Sequence, residues 1–477
     1  MGSKSIIIIG AGVAGLSAGC YGQMNGYSTE IFELHDKPGG LCTSWKRGEY
    51  TIDGCLHWLV GSDRKSKLYE VWEELGAVQG RHMINHDEFI RFEGADGKVF
   101  ILYTDIDRLE QHMLKVAPQD KDAIKEFTEG IRALSSFGPS FMNAMMKWRS
   151  ISLEDFAKRF KEPFLREVFP VVFFGLSSFP IAALMMTLAW MHQKSAGFPE
   201  GGSLEFARAV ERRYFELGGK IHYRSTVAKI MVENDQAVGV KLADGLEYRS
   251  DIVISAADGH TTIFNMLGGK YIDDKIRAYY DRLPIFPPLL QVSLGVARDL
   301  SNEPHNLVYQ LKKPIVVAGQ TLKWFGYRHL CFDHTLAPPG KSSIICNALS
   351  DYEYWKRLHE NLERYEAEKK LVADLVVAQL EKRFPGITGQ IEVVDVATPI
   401  TYERYTRNWQ GSFEGWLITK ETFGMQMSKT LPGLKCFYMA GQWVEPGGGV
   451  PTAAMSGRNV IQTICQEDKK PFVTKIQ

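Results

Sequence analysis

The chain has 477 residues, and its Lys plus Arg and its Asp plus Glu counts are both 56, so the formal net charge is zero. This length allows about two or three domains, and a neutral chain has no overall field to recruit nucleic acid, so we exclude that class of partner. The seven cysteines lie apart without the CxxC spacing of zinc or redox sites, from which we expect a cytoplasmic protein with no metal.

The beginning of the chain predicts a strand, a glycine turn, a helix and a second strand. Residues 6–9 are a run of isoleucine, as expected of a parallel strand buried on both faces. Gly10 then permits a tight turn, Gly12 lets the backbone approach a pyrophosphate, and Gly15 lets the helix pack closely on the strand. Glu33 ends the second strand, where its carboxylate would accept hydrogen bonds from a ribose and repel a 2′-phosphate. This pattern predicts a dinucleotide site that disfavours NADP.

A glycine pair follows the second strand. Pro38, Gly39 and Gly40 break the strand and present backbone amides close to where the second phosphate-bearing half of a dinucleotide would lie. A glycine pair at this place is typical of flavin sites rather than nicotinamide sites.

The next stretch is mostly helical in pattern. Helical periodicity dominates residues 68–160, with a hairpin turn predicted at residues 93–97. Ser152 and Asp155 predict a capping box that opens a short helix.

Residues 169–191 carry no charge, and their length is near that of a membrane span. Pro170, Gly175 and Pro180 interrupt this segment, which favours two short helices around a bend. Three interpretations stay open: a buried lining of an apolar substrate cavity or core, a segment that dips into one membrane leaflet, and a true span.

An α/β pattern returns after this segment. Residues 197–230 predict a loop, an amphipathic helix that ends at Gly218 and Gly219, and strands. Residues 251–258 predict another buried parallel strand, as if the nucleotide domain resumed there.

Residues 262–424 mix strands with a helix. Strands are predicted at residues 290–296 and 343–349, and a single long helix at residues 351–384. The helix positions expected to face the core are Leu358, Leu362, Leu371 and Leu375.

A second glycine-rich turn lies near the C-terminus. Residues 437–464 predict a short strand, the glycines 447–449, and a helix whose first residue is Pro451. The bare glycines would let a flat ring press against the backbone, and the positive end of the helix would stabilise negative charge at N1 and C2=O of a reduced flavin.

Together, the motifs GAGVAG, PGGL, FPEGGS, DIVISAAD and AGQWVEPGGGVP resemble the phytoene desaturase family over nearly the whole chain. That family includes carotenoid isomerases and retinol saturase and belongs to the amine-oxidase-like flavoproteins. The resemblance implies an α/β fold with a discontinuous Rossmann-type FAD-binding domain and an inserted α+β substrate domain. The implied ranges are 1–62, 197–265 and 425–470 for the FAD domain, 63–196 and 266–424 for the substrate domain, and 471–477 for a tail.

The same resemblance implies noncovalent FAD and a set of residues that bind it. Two departures from the family pattern matter: Leu41 stands where many relatives have Arg, so Arg458 or Lys46 is expected to compensate the phosphates, and Glu445 stands where many desaturases have His. The implied cofactor-binding residues are Gly10, Gly12, Val13, Ala14, Gly15, Glu33, Gly39, Gly40, Leu41, Val227, Ala256, Gly441, Glu445, Gly449, Val450, Pro451 and Ala454.

The implied reaction is hydride transfer between flavin N5 and a C–H bond of a long apolar isoprenoid or polyene, in the direction of desaturation or saturation. Asp53, His57 and Glu445 are the candidate catalytic acids or bases. The expected electron partner is a quinone, oxygen or a redox protein, because a second nucleotide-binding motif is not visible. Peripheral contact with a membrane is an open alternative.

Three alternative functions remain. The first is a redox-neutral cis-trans isomerase that uses reduced FAD, and the second is an amine oxidase. The third is a binding protein like the regulators that extract prenylated small GTPases from membranes, which share this architecture without FAD.

Overall fold

The computed structural model describes residues 3–136 and 138–475. Within those residues the chain forms twenty strands and fourteen α-helices. The strands are β1 (Ser5–Ile9), β2 (Ser28–Phe32), β3 (Ser44–Arg47), β4 (Tyr50–Asp53), β5 (Leu59–Val60), β6 (Met83–Ile84), β7 (Glu88–Glu93), β8 (Val99–Tyr103), β9 (Ala196–Pro199), β10 (Lys220–His222), β11 (Val227–Glu233), β12 (Gln236–Leu242), β13 (Glu247–Arg249), β14 (Ile252–Ser255), β15 (Leu289–Val296), β16 (Asn306–Val317), β17 (Gln320–His329), β18 (Ser342–Leu349), β19 (Ile391–Ala397) and β20 (Phe437–Met439). The helices are α1 (Val13–Met24), α2 (Lys67–Glu74), α3 (Ile106–Val116), α4 (Lys121–Leu134), α5 (Pro139–Trp148), α6 (Leu153–Ala157), α7 (Pro163–Val168), α8 (Ile181–His192), α9 (Gly202–Glu216), α10 (Asp274–Arg282), α11 (Tyr352–His359), α12 (Leu362–Arg383), α13 (Pro399–Thr406) and α14 (Gly449–Glu467).

A five-stranded sheet in the order β10-β2-β1-β14-β20 is the centre of the nucleotide domain, and all of its neighbouring strands run parallel. The isoleucines of β1 are at most 4% exposed, because Ile6 and Ile8 pack on the side of helices α1, α9 and α14, whereas Ile7 and Ile9 pack on the side of strands β11 and β12. The chain moves from β1 to β2 on one side and to β14 on the other, so the order reverses beside β1. Ligands of such sheets bind at the carboxyl edge where this reversal occurs. The predicted α/β fold class is confirmed.

The second large sheet has seven strands in the order β19-β15-β18-β17-β16-β7-β8, and only the β16/β7 pair among them runs parallel in the described ranges. Helix α12 packs its apolar face on this sheet, with Val372, Val376 and Leu380 buried against Leu294. The predicted strands 290–296 and 343–349 are the antiparallel neighbours β15 and β18.

The predicted single helix over residues 351–384 is wrong, because the chain forms α11 and α12 with a break between them. Asn361 restarts the helix by accepting a hydrogen bond from the Arg364 N–H at 3.1 Å, the usual action of an N-cap residue. The break changes the helical phase, and Leu362 and Leu371 are 64% and 51% exposed instead of facing the core. Leu358 and Leu375, the other two predicted positions, do pack against the core.

The uncharged segment 169–191 is a 3-10 turn at Phe169–Val171, a loop, and helix α8. Ile181, Leu184 and Leu188 of α8 are fully buried in an apolar cluster with α3 and α4, as the core interpretation requires. Within the described ranges, the structure contains no helix of the length and apolarity that a membrane crossing needs.

One local prediction is confirmed, and a second holds in part. The hairpin turn at residues 93–97 joins the antiparallel strands β7 and β8. Ser152 is the N-cap of α6 and accepts a hydrogen bond from the Asp155 N–H at 3.0 Å. The Asp155 carboxylate accepts from the Ser152 hydroxyl at 2.9 Å, whereas a full capping box needs it to accept from the Ser152 backbone N–H.

Candidate active site

A cavity of about 580 Å³ lies along the carboxyl edge of the parallel sheet. Strands β1, β2, β14 and β20 all end at this edge, so the residues that follow them meet although they are far apart in the chain. Thirteen of the seventeen predicted cofactor-binding residues line it, namely Gly10, Gly12, Val13, Ala14, Glu33, Gly39, Gly40, Leu41, Val227, Ala256, Gly441, Gly449 and Val450.

The three glycines of the first turn have the separate roles that their spacing predicts. Gly10 has φ +96°, a conformation that favours glycine. A Cβ on Gly15 would lie 1.9 Å from the Gly10 carbonyl oxygen, so Gly15 allows the helix to pack and does not line the cavity. A Cβ on Gly12 would meet nothing closer than 3.9 Å, which leaves its backbone open to a ligand. This cradle fits a pyrophosphate at the N-terminus of α1.

Glu33 connects the first turn to the loop that follows β2. One carboxylate oxygen accepts a hydrogen bond from the Ala11 N–H at 2.6 Å and the other accepts one from the His35 N–H at 2.8 Å. Burial raises the pKa of this carboxyl, while the two N–H groups favour its charged form. A carboxylate has further lone pairs, so Glu33 can also accept from a ribose hydroxyl.

The glycine pair packs directly against the first turn. The Gly39 N–H donates to the Ala11 carbonyl at 2.9 Å, and Gly39 and Gly40 both have positive φ. A Cβ on Gly39 would lie 2.2 Å from the Cys42 carbonyl oxygen. Glycine is therefore required here so that two backbone loops can approach the same ligand.

The structure places neither predicted substitute for the missing arginine in the cavity. The Arg458 guanidinium lies over the rings of Tyr21 and Phe472, at 5.5 and 4.8 Å from their centroids, and does not line the cavity. Lys46 does not line it either, whereas Arg407, which the sequence did not single out, does.

The C-terminal turn closes the other end of the cavity. Gly447, Gly448 and Gly449 have φ values of +101°, +52° and +81°, and α14 begins at Gly449, two residues earlier than the predicted start at Pro451. A Cβ on Gly448 would lie 2.6 Å from the Glu414 carbonyl oxygen, so this turn packs on the segment around Glu414. The N-terminus of α14 thus faces the cavity between Gly449 and Val450.

Predicted residues Pro451 and Ala454 of α14 do not line the cavity. Ala454 is fully buried, and its carbonyl accepts a hydrogen bond from the Ser17 hydroxyl at 2.6 Å. It therefore joins α14 to α1 behind the cavity.

Glu414 is a cavity-lining residue that the sequence did not reveal. Its side chain has no hydrogen-bond or ion-pair partner in the described part of the chain, and burial raises its pKa to about 8. One carboxyl oxygen lies 3.7 Å from where a Cβ on Gly449 would stand. In the sequence, Glu414 is distinguished only as an acid among the aromatic residues of NWQGSFEGW. An exposed surface loop could have the same pattern.

The three predicted catalytic residues do not converge on one point. Glu445 forms an ion pair with Lys429 and does not line the cavity. Asp53 is fully buried and accepts hydrogen bonds from the Ser203 N–H at 2.6 Å and the Ser203 hydroxyl at 2.7 Å. His57 lines a separate, smaller cavity, and burial lowers its pKa well below the usual value.

Aromatic and polar contacts fix the segment that carries Glu414. Asp258, which follows β14, accepts hydrogen bonds from the Thr261 N–H at 2.7 Å and the Trp409 N–H at 2.9 Å, and burial raises its pKa to about 6. The Trp416 indole N–H donates to the Trp443 carbonyl at 3.0 Å. These bonds tie the segment to the parallel sheet on one side and to the C-terminal turn on the other.

An apolar wall leads away from the Glu414 end of the cavity. Phe413 lines the cavity, and its ring centroid lies 5.1 Å from that of Phe286. Phe286 is 5.9 Å from Phe179, which is 5.4 Å from Phe173. Two of these rings come from the uncharged segment 169–191, so that segment contributes both to the core and to this wall.

Known proteins share both the sequence and the fold. A family model of flavin containing amine oxidoreductases matches residues 13–465. A chloroplastic prolycopene isomerase of Daucus carota is 26% identical over 98% of this chain and 81% of its own. A lycopene-forming phytoene desaturase of Paracoccus sp. is 23% identical over 98% of each chain. The structure of an oxidoreductase from Methanosarcina mazei matches with a TM-score of 0.67 at 18% identity, over 96% of this chain and 100% of that one.

These matches confirm the resemblance to carotenoid desaturases and isomerases that the motifs indicate. The two relatives each cover 98% of the chain, and the family match at residues 13–465 includes the C-terminal glycine turn. The chain belongs to the flavin containing amine oxidoreductase family and is a flavin-dependent enzyme.

Proposed function

We propose that this enzyme binds FAD noncovalently and acts on the C–C bonds of a long, hydrophobic isoprenoid or polyene. The cavity carries the proposal, because it extends from the carboxyl ends of β1, β2 and β14 to the N-terminus of α14, with glycine backbone at each close approach. The names of the relatives, prolycopene isomerase and phytoene desaturase, support a polyene as substrate.

The residues of the cavity have distinct tasks in this proposal. Gly10 and Gly12 receive the pyrophosphate, Glu33 receives the adenosine ribose, and Val227 and Ala256 border the adenine. The N-terminus of α14 faces the flavin ring and stabilises negative charge there. Bound FAD supplies hydride transfer, while the protein orients the substrate and excludes water.

Glu414 is the acid that we assign to the ring end of the cavity. Because burial raises its pKa to about 8, its carboxyl is mainly protonated at neutral pH. A carboxyl whose pKa lies near the working pH can donate a proton in one direction of a reaction and accept one in the other. Glu414 is therefore suited to proton transfer in saturation or in desaturation.

Redox-neutral cis-trans isomerisation is the second candidate. It requires no net proton acceptor, and none of Asp53, His57 and Glu445 lines the cavity where an acceptor would be needed. One of the two relatives described above is an isomerase by name.

The test begins with purified protein that is incubated with FAD and washed. We expect a yellow protein with two flavin absorption bands and full release of FAD on denaturation. A protein that stays colourless would refute the proposal and favour the prenyl-binding alternative. Flavin that stays attached after denaturation would refute noncovalent binding.

The substrate test incubates the FAD-loaded protein with phytoene, prolycopene and retinol, with and without oxygen or a quinone. A mass change of two units identifies dehydrogenation or saturation, and an unchanged mass with altered retention identifies isomerisation. Turnover that depends on oxygen, on the quinone or on an added redox protein identifies the electron partner. Conversion of primary amines without any change in the polyenes would replace the proposal with an amine oxidase.

A further inference from the structure

A second, smaller cavity of about 40 Å³ lies between the seven-stranded sheet and the short strands β5, β6 and β9, and an arginine without a partner among the described residues lines it. Arg328, near the end of β17, is partly buried and lines this cavity, and desolvation dominates the shift of its pKa. In the described ranges 3–136 and 138–475, its side chain has neither a hydrogen-bond acceptor nor a carboxylate at ion-pair distance. The space suits a small group such as a carboxylate. The other lining residues are His57, Trp58, Asn85, His86, Glu88, Phe89, Thr104, Met191, Ala196, Phe198, His305, Asn306 and Phe332.

The carboxylates nearest to Arg328 already have other partners. Asp53 attracts it electrostatically, but both Asp53 oxygens accept hydrogen bonds from Ser203, at 2.6 and 2.7 Å. Glu88 also lines the cavity and accepts hydrogen bonds from Arg91 at 3.0 and 2.6 Å. Five guanidinium donors therefore remain for a ligand.

The other titratable groups of the cavity do not change this charge. Burial lowers the pKa values of His57, His86 and His305, so these rings are neutral at pH 7. The rings of His86 and His305 stack at 3.8 Å, which neutral imidazoles tolerate better than charged ones. Burial also lowers the Arg328 pKa to about 10, which leaves its guanidinium charged at neutral pH.

A series of packed aromatic rings lies between this cavity and the cavity of the flavin site. Phe89 and Phe286 are only 5% and 1% exposed, so a ligand could contact only the partly exposed rings of the series, those of Trp58, Phe173, Phe179 and Phe413. The ring centroids of His57 and Trp58 are 5.9 Å apart, those of Trp58 and Phe89 are 5.3 Å apart, and those of Phe89 and Phe173 are 6.4 Å apart. Phe173 belongs to the apolar wall that begins at Phe413 in the flavin cavity. An apolar chain along this wall would have one end near Arg328.

We propose that Arg328 binds the carboxylate of a polyene or isoprenoid acid whose apolar chain follows the aromatic wall to the flavin site. The substrate is then an amphipathic acid with one polar end, rather than a hydrocarbon with two apolar ends. The inference rests on the proposed function, because the acid must reach the flavin for its chain to react. A bidentate Arg–carboxylate pair in a buried site gives both affinity and a fixed orientation.

The experiment uses cis-parinaric acid, a conjugated fatty acid whose fluorescence rises on binding, and its methyl ester, which has the same chain without the charge. Both are titrated into the FAD-loaded protein and into the Arg328→Met, Arg328→Lys and Arg282→Met variants. Arg282 is the control because it is an exposed arginine at the end of α10. FAD content and melting temperature show whether each variant is folded.

We expect the wild-type protein and the Arg282→Met variant to bind the acid at least about tenfold more tightly than the ester. Arg328→Met is expected to abolish this preference while ester binding stays unchanged, and Arg328→Lys is expected to retain part of it. If Arg328→Met does not fold, the acid-to-ester ratio of the wild-type protein and of Arg328→Lys decides the question.

Equal binding of acid and ester by the wild-type protein would overturn the proposal, and so would an equal loss of both in Arg328→Met. Displacement of parinaric acid by millimolar acetate would also overturn it, because the site would then take a free anion without a chain. If no FAD binds, the proposed function fails, but the acid-to-ester ratio of the FAD-free protein still reports on Arg328. The two failures are therefore distinguishable.

Discussion

The Glu33 side chain both holds the loops of the site in place and can accept a hydrogen bond from the ligand. Its carboxylate receives the N–H groups of Ala11 and His35, which hold the two loops around the phosphate region in place. Both Glu33 carboxylate oxygens accept hydrogen bonds from backbone N–H groups. A glutamine at this position would turn its side-chain N–H toward one of these backbone N–H groups, which would then have no acceptor. Leaving a buried donor without an acceptor costs about 1–3 kcal/mol.

Glu33→Gln is therefore expected to weaken FAD binding by about tenfold or more and to destabilise the FAD-free protein by about 1–3 kcal/mol. Titration of the FAD-free protein with FAD gives the first value, and urea unfolding gives the second. Glu30→Gln is the matched control, because Glu30 lies on β2, which Glu33 directly follows, and pairs with His222 at 2.6 Å outside the cavity. Equal effects in both variants would show that Glu33 has no special role.

Glu414 gives a prediction about pH and stability. Its pKa in the folded protein, about 8, lies above the value of 4.5 expected when it is unfolded. The folded state therefore holds more protons than the unfolded state between these values, and the free energy of unfolding decreases as pH rises through that window. Glu414→Gln removes this effect.

We expect the FAD-free Glu414→Gln variant to be more stable than the wild-type protein at pH 8 by about 2 kcal/mol, and nearly equal to it at pH 5. This stability difference is smaller than the full pKa shift of Glu414 would give, because the carboxyl lies at a cavity that water can enter. Urea unfolding at several pH values measures it, with Glu421→Gln, an exposed acid nearby, as control. A stability gain that does not vary with pH would contradict the assigned pKa direction.

Between elements, the contact of α1 with α14 joins the two ends of the nucleotide domain. A Cβ on Gly457 of α14 would lie 2.2 Å from the Ala14 carbonyl oxygen and 2.8 Å from the Ala18 nitrogen. These are backbone atoms of α1, which cannot move aside without displacing the first turn. The two helices approach this closely only because residue 457 is glycine.

Gly457→Ala is expected to destabilise the protein by about 1–3 kcal/mol or more and to weaken FAD binding, because α1 carries the pyrophosphate cradle. Gly389→Ala is the matched control, since a Cβ there meets nothing within 4 Å and Gly389 does not have a positive φ. Its effect is expected to be below about 0.5 kcal/mol. A Gly457→Ala variant of normal stability and FAD affinity would contradict this account of the interface.

The predictions of individual elements are correct where interactions between residues close in sequence determine the structure. The glycine turn after β1, the parallel strand at residues 251–258 and the Ser152 N-cap all follow from short-range geometry. The break at Asn361 was missed because a helix that continues and one that restarts have nearly the same apolar periodicity over a few turns. A single side chain that caps the backbone decides between them.

At the scale of the whole molecule, the sequence predicts the nucleotide end of the site better than the reactive end. Gly10, Glu33 and Ala256 lie at the ends of predicted strands, so a parallel sheet brings them together. Glu414 and Arg328 become significant only through burial without a partner, which depends on contacts from distant segments. Composition and periodicity carry no information on such contacts.

The cavity also crosses the predicted domain boundaries. Residues of α13 and the segment after it, among them Glu403, Arg407 and Asn408, line it although they fall in the predicted substrate domain, 266–424. FAD that binds there would contact both domains and stabilise both by mass action. Local stability should then rise in two segments that are distant in sequence, α13 and the first glycine turn.

Amide hydrogen exchange with and without FAD tests this coupling. We expect slower exchange on FAD binding in residues 399–408 as well as in the first glycine turn, whereas α8, which does not line the cavity, serves as the internal control and keeps its rate. Protection confined to the nucleotide domain would mean that the inserted domain does not contribute to cofactor binding. Protection of α8 equal to that of α13 would indicate a global gain in stability, because fully buried core amides exchange only when the whole structure opens.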